Sequence, residues 1–187
     1  MNVDEMKTAF TMAISPPGKW RSIRNIEYFY KEEIDKQYLS FQATGNFRDW
    51  VSDFFFFPIF YGRYLIHAGY LLAFRGTLID ILTDIKINPF KPLIISGYSM
   101  GGALSVLLSW TLCGSIKSTT YTFATPNLFL GSFPKIDEMY NVQIKGDPVV
   151  TLPPFYRNPG EKVIIHKSHW SPLNHQAPTY KYYIERM

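Results

Sequence analysis

Apolar residues recur at spacings of three and four from Tyr70 through Phe74, Leu78, Ile81, Leu82 and Ile85. That stripe predicts a helix over residues 66–87, ended by Asn88 and Pro89. Five short segments read as strands, at 38–43, 93–96, 119–124, 141–145 and 163–166; that at 93–96 is a short apolar run suited to a buried strand, and the last three are bounded by Pro, Gly or Asn. The run at 93–96 leads through glycines into 103–113, an apolar stretch of helix length, so that a strand, a tight turn and a helix follow one another. Trp20, Ile23, Ile26 and Phe29 have the spacing of a further helix packed on the sheet, and the chain after His175 reads as a final helix. Strands alternating with helices predict an α/β protein with a mostly parallel central sheet flanked by helices.

Composition narrows this picture. No repeat, low-complexity tract or polar linker divides the 187 residues, so they are read as one domain, 1–187. A chain of this size buries roughly 70% of its unfolded surface and needs no disulfide or metal staple. The net charge of +4 is scattered, with Lys19, Arg21 and Arg24 the nearest thing to a cluster. No nucleic-acid partner is expected; a solvated positive face is the plain reading. A single cysteine, Cys113, excludes a disulfide scaffold, and its apolar neighbours predict a buried thiol. Asp4 and Glu5 stand where a secretory signal would be basic, and the apolar stretch 9–14 is short for its core. The apolar run 54–61 falls well below the roughly 18 residues that cross a bilayer. The expectation is a soluble or peripheral, intracellular protein.

The strongest chemical signal is Gly97-Tyr98-Ser99-Met100-Gly101-Gly102, a G-x-S-x-G pattern between a predicted strand and a predicted helix. A nucleophile elbow forces its serine into strained backbone, and small neighbours at Gly97 and Gly101 let helix and strand approach. Met100 then begins the helix, where its amide can face a developing oxyanion. A serine hydroxyl needs a histidine base and an acid to orient that base, in the chain order serine, acid, histidine. Asp147 directly follows a predicted strand, between Gly146 and Pro148, whereas Asp137 and Glu138 lie in a polar stretch with the character of a solvated turn. Catalytic groups gather at the carboxyl ends of strands in open α/β sheets, which favours Asp147. Three histidines follow it: His166 at a strand end, His169 in a connection, and His175 in the loop before the last helix. The loop position favours His175. His166 and His169 lack a third ligand for a metal, so no metal or cofactor is expected, and His67 is read as a packing or capping residue.

These segments resemble the class 3 (fungal-type triacylglycerol) lipase family of the α/β-hydrolase superfamily, whose elbow commonly reads G-H-S-L-G-G-A-L where this chain has GYSMGGAL. Phe41-Gln42-Ala43-Thr44, with Asp49-Trp50 and Asp53, resembles the family's F-R-G-T followed by D-W-x-x-D. His67-Ala68-Gly69-Tyr70 resembles H-x-G-F, YTFATP at 121–126 resembles T-F-G-x-P, and KGDPVVTLP at 145–153 resembles N-D-x-V-P-x-L-P. His175 followed five residues later by Tyr180 resembles a form seen in some members, which supports His175 over His169. The likeness covers about 41–180. Gln42 and Ala43 replace Arg and Gly, and Tyr98 replaces the usual histidine.

The resemblance implies a lipase or esterase that cleaves lipid or small esters without a cofactor, with Ser99, Asp147 and His175 as its triad and Thr44 and Met100 as its oxyanion hole. Phe74-Arg75-Gly76-Thr77 spells F-R-G-T literally, but it lies within the predicted helix, where its amides are bonded. The run 54–61 falls where the family carries a lid. Exposed, it would touch a lipid interface; core packing is the simpler reading. Two alternatives stand beside the lipase reading: another serine acyl-transfer enzyme of this fold, such as a phospholipase or thioesterase, and a non-catalytic membrane-surface module.

Overall fold

The computed structural model of the chain describes residues 1–24, 26–42, 57–167 and 172–187. It begins with helix α1 (Val3–Ile14), started by Asn2, whose side-chain oxygen accepts from the Glu5 amide at 3.1 Å. Asp4 and Glu5 occupy its first turn, where the helix dipole favours acids. Strands β1 (Arg21–Ile23), β2 (Ile26–Glu32) and β3 (Gln37–Gln42) follow as an antiparallel meander. A hairpin of β4 (Pro58–Tyr61) and β5 (Tyr64–His67) leads into α2 (Ala68–Asp84). Next come β6 (Leu93–Tyr98), α3 (Met100–Leu112), β7 (Ser118–Phe123), β8 (Phe129–Leu130), β9 (Met139–Ile144), β10 (Tyr156–Arg157) and β11 (Glu161–Ile165). A 3-10 turn at Pro172–His175 and helix α4 (Ala177–Ile184) close the described chain.

The central sheet has the order β1-β2-β3-β6-β7-β9-β11, and its run from β3 to β11 is parallel throughout. Such strands are covered on both faces, which explains why Leu93, Ile94 and Ile95 are all apolar and buried. Leu39, Phe41, Leu93 and Ile95 pack with Tyr70 and Phe74 of α2 and with Leu104, Val106, Leu107 and Leu108 of α3. Tyr38, Ile94, Tyr121, Phe123, Val142 and Ile144 pack on the opposite side with Met6 and Phe10 of α1 and with Tyr180 and Ile184 of α4. Among the described residues no helix is long and apolar enough to cross a membrane.

Several expectations are corrected. The helix expected from residue 66 begins at Ala68, because Ile66 and His67 complete β5 and pair with β4. The helix expected around Trp20, Ile23, Ile26 and Phe29 is instead β1 and β2. The aromatic, β-branched run at 26–30 finds a ladder partner in β3, with Tyr28 opposite Phe41. The N-terminal helix lies earlier, at Val3–Ile14. A second, four-stranded sheet, β10-β8-β5-β4, is built from strands of two to four residues, too short to leave a period. Cys113 is exposed rather than buried, because α3 stops at Leu112 and the chain turns away at Gly114, whose φ is +81°. Phe74–Thr77 lies inside α2, with the Thr77 hydroxyl donating to the Ala73 carbonyl at 2.9 Å.

Candidate active site

Ser99 stands between β6 and α3 with φ 54° and ψ −121°, a region that side-chain-bearing residues occupy only under strain. Three close approaches hold it there. A Cβ on Gly97 would lie 2.2 Å from the Gly101 carbonyl oxygen, and one on Gly101 would lie 2.2 Å from the Phe41 carbonyl oxygen. A Cβ on Gly102 would lie 1.9 Å from the Thr125 hydroxyl. The glycines let α3 begin directly against the ends of β3 and β6. The Ser99 amide donates to the Phe123 carbonyl at 2.8 Å, so the segment around Phe123 and Thr125 clasps the turn from the other side.

Ser99 Oγ lies 2.9 Å from His175 Nε2. His175 Nδ1 lies 3.1 Å from each carboxylate oxygen of Asp147. An ionised carboxylate only accepts, so the arrangement assigns the proton to Nδ1 and leaves the Nε2 lone pair facing the serine hydroxyl. Asp147 is 1% exposed and fully engaged. Oδ1 accepts from the Val149 amide at 2.9 Å and Oδ2 from the Tyr180 hydroxyl at 2.8 Å. The Tyr180 oxygen in turn accepts from the Ile144 amide at 3.0 Å, which directs its proton toward Asp147. Burial and the Asp147 charge push the Tyr180 phenol well above its ordinary pKa, so it remains a donor. The turn from Ile144 to Asp147 closes with an Asp147 amide to Ile144 carbonyl bond of 3.0 Å, and Gly146 takes the φ of +89° that it requires.

Met100 begins α3, so its amide precedes those of Gly102 and Ala103, which donate to the Ser99 carbonyl at 3.0 and 3.3 Å. Thr44 lies outside the described residues, as do His169, Asp49, Trp50, Asp53 and residues 54–56 of the aromatic run. The register of β3 against β6 sets Phe41 beside Gly97. Of the remaining candidates, Asp137 is mostly exposed near Lys135, and Glu138 accepts from the Thr119 hydroxyl. Both precede β9 and therefore lie at the opposite end of the sheet from Ser99. His166 follows β11 and lines a cleft of about 530 Å³ with Asp147, Val150, Thr151 and Ile164, a lining that does not include Ser99. His67 is 4% exposed and tilts against the Tyr70 ring, 4.5 Å between centroids, a packing position. Among the described residues no group of three or more His, Cys, Asp or Glu side chains could hold a metal ion.

Sequence reasoning missed the role of Tyr98. Its hydroxyl donates to the main-chain carbonyl of His175, and its ring lies between His175, Tyr180 and Phe10. The substitution of the usual histidine marked the position without indicating what it touched.

The family described as lipase (class 3) matches residues 38–157. The Saccharomyces cerevisiae protein named "Putative lipase LIH1" is 25% identical over 69% of this chain and 54% of its own length, so this chain spans about half of that curated relative. A lipase from Rhizopus microsporus var. chinensis superposes with a TM-score of 0.63 at 20% identity, covering 87% of this chain and 74% of the other. A triacylglycerol lipase whose catalytic centre is formed by a serine-protease triad gives a TM-score of 0.71 at 18% identity, covering 87% and 80%. These structures share the α/β-hydrolase fold with this chain.

Proposed function

Since the chain belongs to the class 3 lipase family, we propose that it is a serine hydrolase of carboxylic esters, acting on lipid esters through Ser99, His175 and Asp147. The observation that carries this reading is the 2.9 Å approach of Ser99 Oγ to a histidine nitrogen whose partner nitrogen meets a buried carboxylate. Nε2 of His175 takes the hydroxyl proton as Oγ attacks the ester carbonyl. The Met100 amide at the start of α3 donates to the oxyanion, and Thr44 is the second donor implied by the family resemblance. His175 passes its proton to the departing alcohol. Water, deprotonated by the same nitrogen, then releases the acid from the acyl-enzyme. Asp147 holds the tautomer and stabilises the imidazolium in both halves.

A lipid interface is the proposed peripheral contact. Phe57 and Phe60 are 64% and 75% exposed on and beside the edge strand β4, which supports the lid-side reading of this segment over core packing.

The test is reaction of the purified protein with a fluorophosphonate, followed by intact mass and peptide mapping. A single adduct on Ser99, lost in Ser99→Ala and in His175→Ala, is expected. No adduct, with or without mild detergent, overturns the hydrolase reading in favour of a membrane-surface module. Release of acid from glycerides, phospholipids and thioesters compared side by side then separates lipase from phospholipase and thioesterase.

A further inference from the structure

We infer that Tyr98 is a positioning residue for the base, tying the His175 backbone to the strand that carries the nucleophile. This inference rests on the role proposed for His175. Tyr98 is the last residue of β6, and Ser99 follows it. Two neighbouring residues therefore hold the same histidine from both ends: Ser99 Oγ meets its ring, and the Tyr98 hydroxyl meets its main-chain carbonyl.

The 3-10 turn carrying His175 has other bonds: Lys167, two residues past the edge strand β11, donates to Asn174 Oδ1 at 2.7 Å, and the His175 ring meets Asp147 beyond β9. The Gln176 amide and the Thr179 hydroxyl both donate to the Leu173 carbonyl at 3.0 Å, which shapes the turn and joins it to α4 without fixing either to the sheet. The Tyr98 bond connects the turn to the centre of the sheet. It lies one residue from the point where an error of position affects proton transfer most.

The Tyr98 ring is itself braced. Phe10 meets it edge-on at 6.4 Å between centroids, and Tyr180 does so at 5.7 Å. Phe10 belongs to α1, outside the segment 38–157 that matches the family. Helix α1 thereby acquires a part in the site: it packs Phe10 between Tyr98 and Phe123, the latter 4.9 Å away. Burial and the nearby Asp147 charge keep the Tyr98 phenol protonated, hence a donor, across the pH range in which a histidine base works.

Tyr98→Phe tests this, since it keeps the ring packing and removes only the hydroxyl. Two readouts are taken on the full chain. Turnover of p-nitrophenyl butyrate and the rate of fluorophosphonate labelling are expected to fall about tenfold, with KM within about twofold of wild type, because a displaced base slows proton transfer without altering ester binding. Amide hydrogen exchange at 172–176 is expected to quicken while β9 and α3 keep wild-type protection. Phe10→Leu, which leaves the phenol and loosens its ring, is expected to shift both readouts in the same direction by a smaller amount. Unchanged exchange at 172–176, or quickened exchange with a wild-type labelling rate, overturns the inference. Exchange reads the tether whether or not Ser99 reacts. A wild-type protein that takes no adduct therefore sinks the hydrolase reading, while the exchange result decides this one separately.

Discussion

Ser99 Oγ and His175 Nε2 lie 2.9 Å apart although 76 positions separate them in the chain, and the serine reaches that distance only from a strained backbone at φ 54°. The elbow stores conformational energy to hold the hydroxyl clear of both the strand and the helix.

Relief of that strain is measurable. Ser99→Gly removes the Cβ that makes this conformation costly and is expected to stabilise the protein by about 1 kcal/mol, net of the lost hydroxyl contact and of glycine's greater freedom when unfolded. Urea unfolding of the variant beside wild type gives the sign, and a lower midpoint refutes the strain argument.

The opposite outcome is expected two residues further on. Gly101→Ala places a methyl 2.2 Å from the Phe41 carbonyl oxygen, a backbone atom that cannot swing aside. Separating α3 from β3 to accommodate it costs about 3 kcal/mol. Thermal unfolding reads that loss, and the moved Ser99 should also label more slowly.

Tyr180→Phe isolates the second support of the acid. It deletes a donor to Asp147 Oδ2 and leaves the buried Ile144 amide without the phenol oxygen it now uses. A loss of about 1–3 kcal/mol is expected, the desolvation cost of one stranded buried group. Equal stability of the variant in urea would mean that another acceptor takes over at Ile144.

His67 gives a pH dependence. Burial holds its pKa below the ordinary histidine value, so the folded state keeps it neutral where the unfolded chain already binds a proton. As pH falls below about 6.5 the unfolded chain takes up that proton first, so stability declines and levels off below the lowered folded pKa; above pH 7 this group contributes no slope. The urea midpoint of wild type should therefore drop more steeply between pH 6.5 and 5 than that of His67→Gln. Parallel curves would rule the contribution out.

Much of this protein was legible in its sequence for local reasons. The stripe from Tyr70 to Ile85 has the helical period, and it forms α2. Leu93, Ile94 and Ile95 are apolar on successive residues, as a strand covered on both faces requires, and they form β6, while the β-branched and aromatic run at 119–123 lies in β7. The glycines around Ser99 announce a close approach of backbones, and Gly97, Gly101 and Gly102 each have a neighbour within about the reach of a methyl group. By contrast the spacing of Ile23, Ile26 and Phe29 suits a helix while the β-branched and aromatic residues at 26–30 suit a strand, and only pairing with β3 decided between them.

What the sequence determined by itself was therefore the set of elements with a strong period, the strained turn at Ser99, and the residue types available to serve it. The tertiary structure decided which of those residues meet. Asp147 and the turn bearing His175 come to the serine because β6 and β9 run parallel and end at the same edge of the sheet, while Asp137 and Glu138 precede β9 and fall at the other. The bond from Tyr98 to the His175 carbonyl spans 77 positions and leaves no local pattern. Periodicity and turn chemistry act over a few residues, whereas these contacts depend on the order and register of strands distant in the chain.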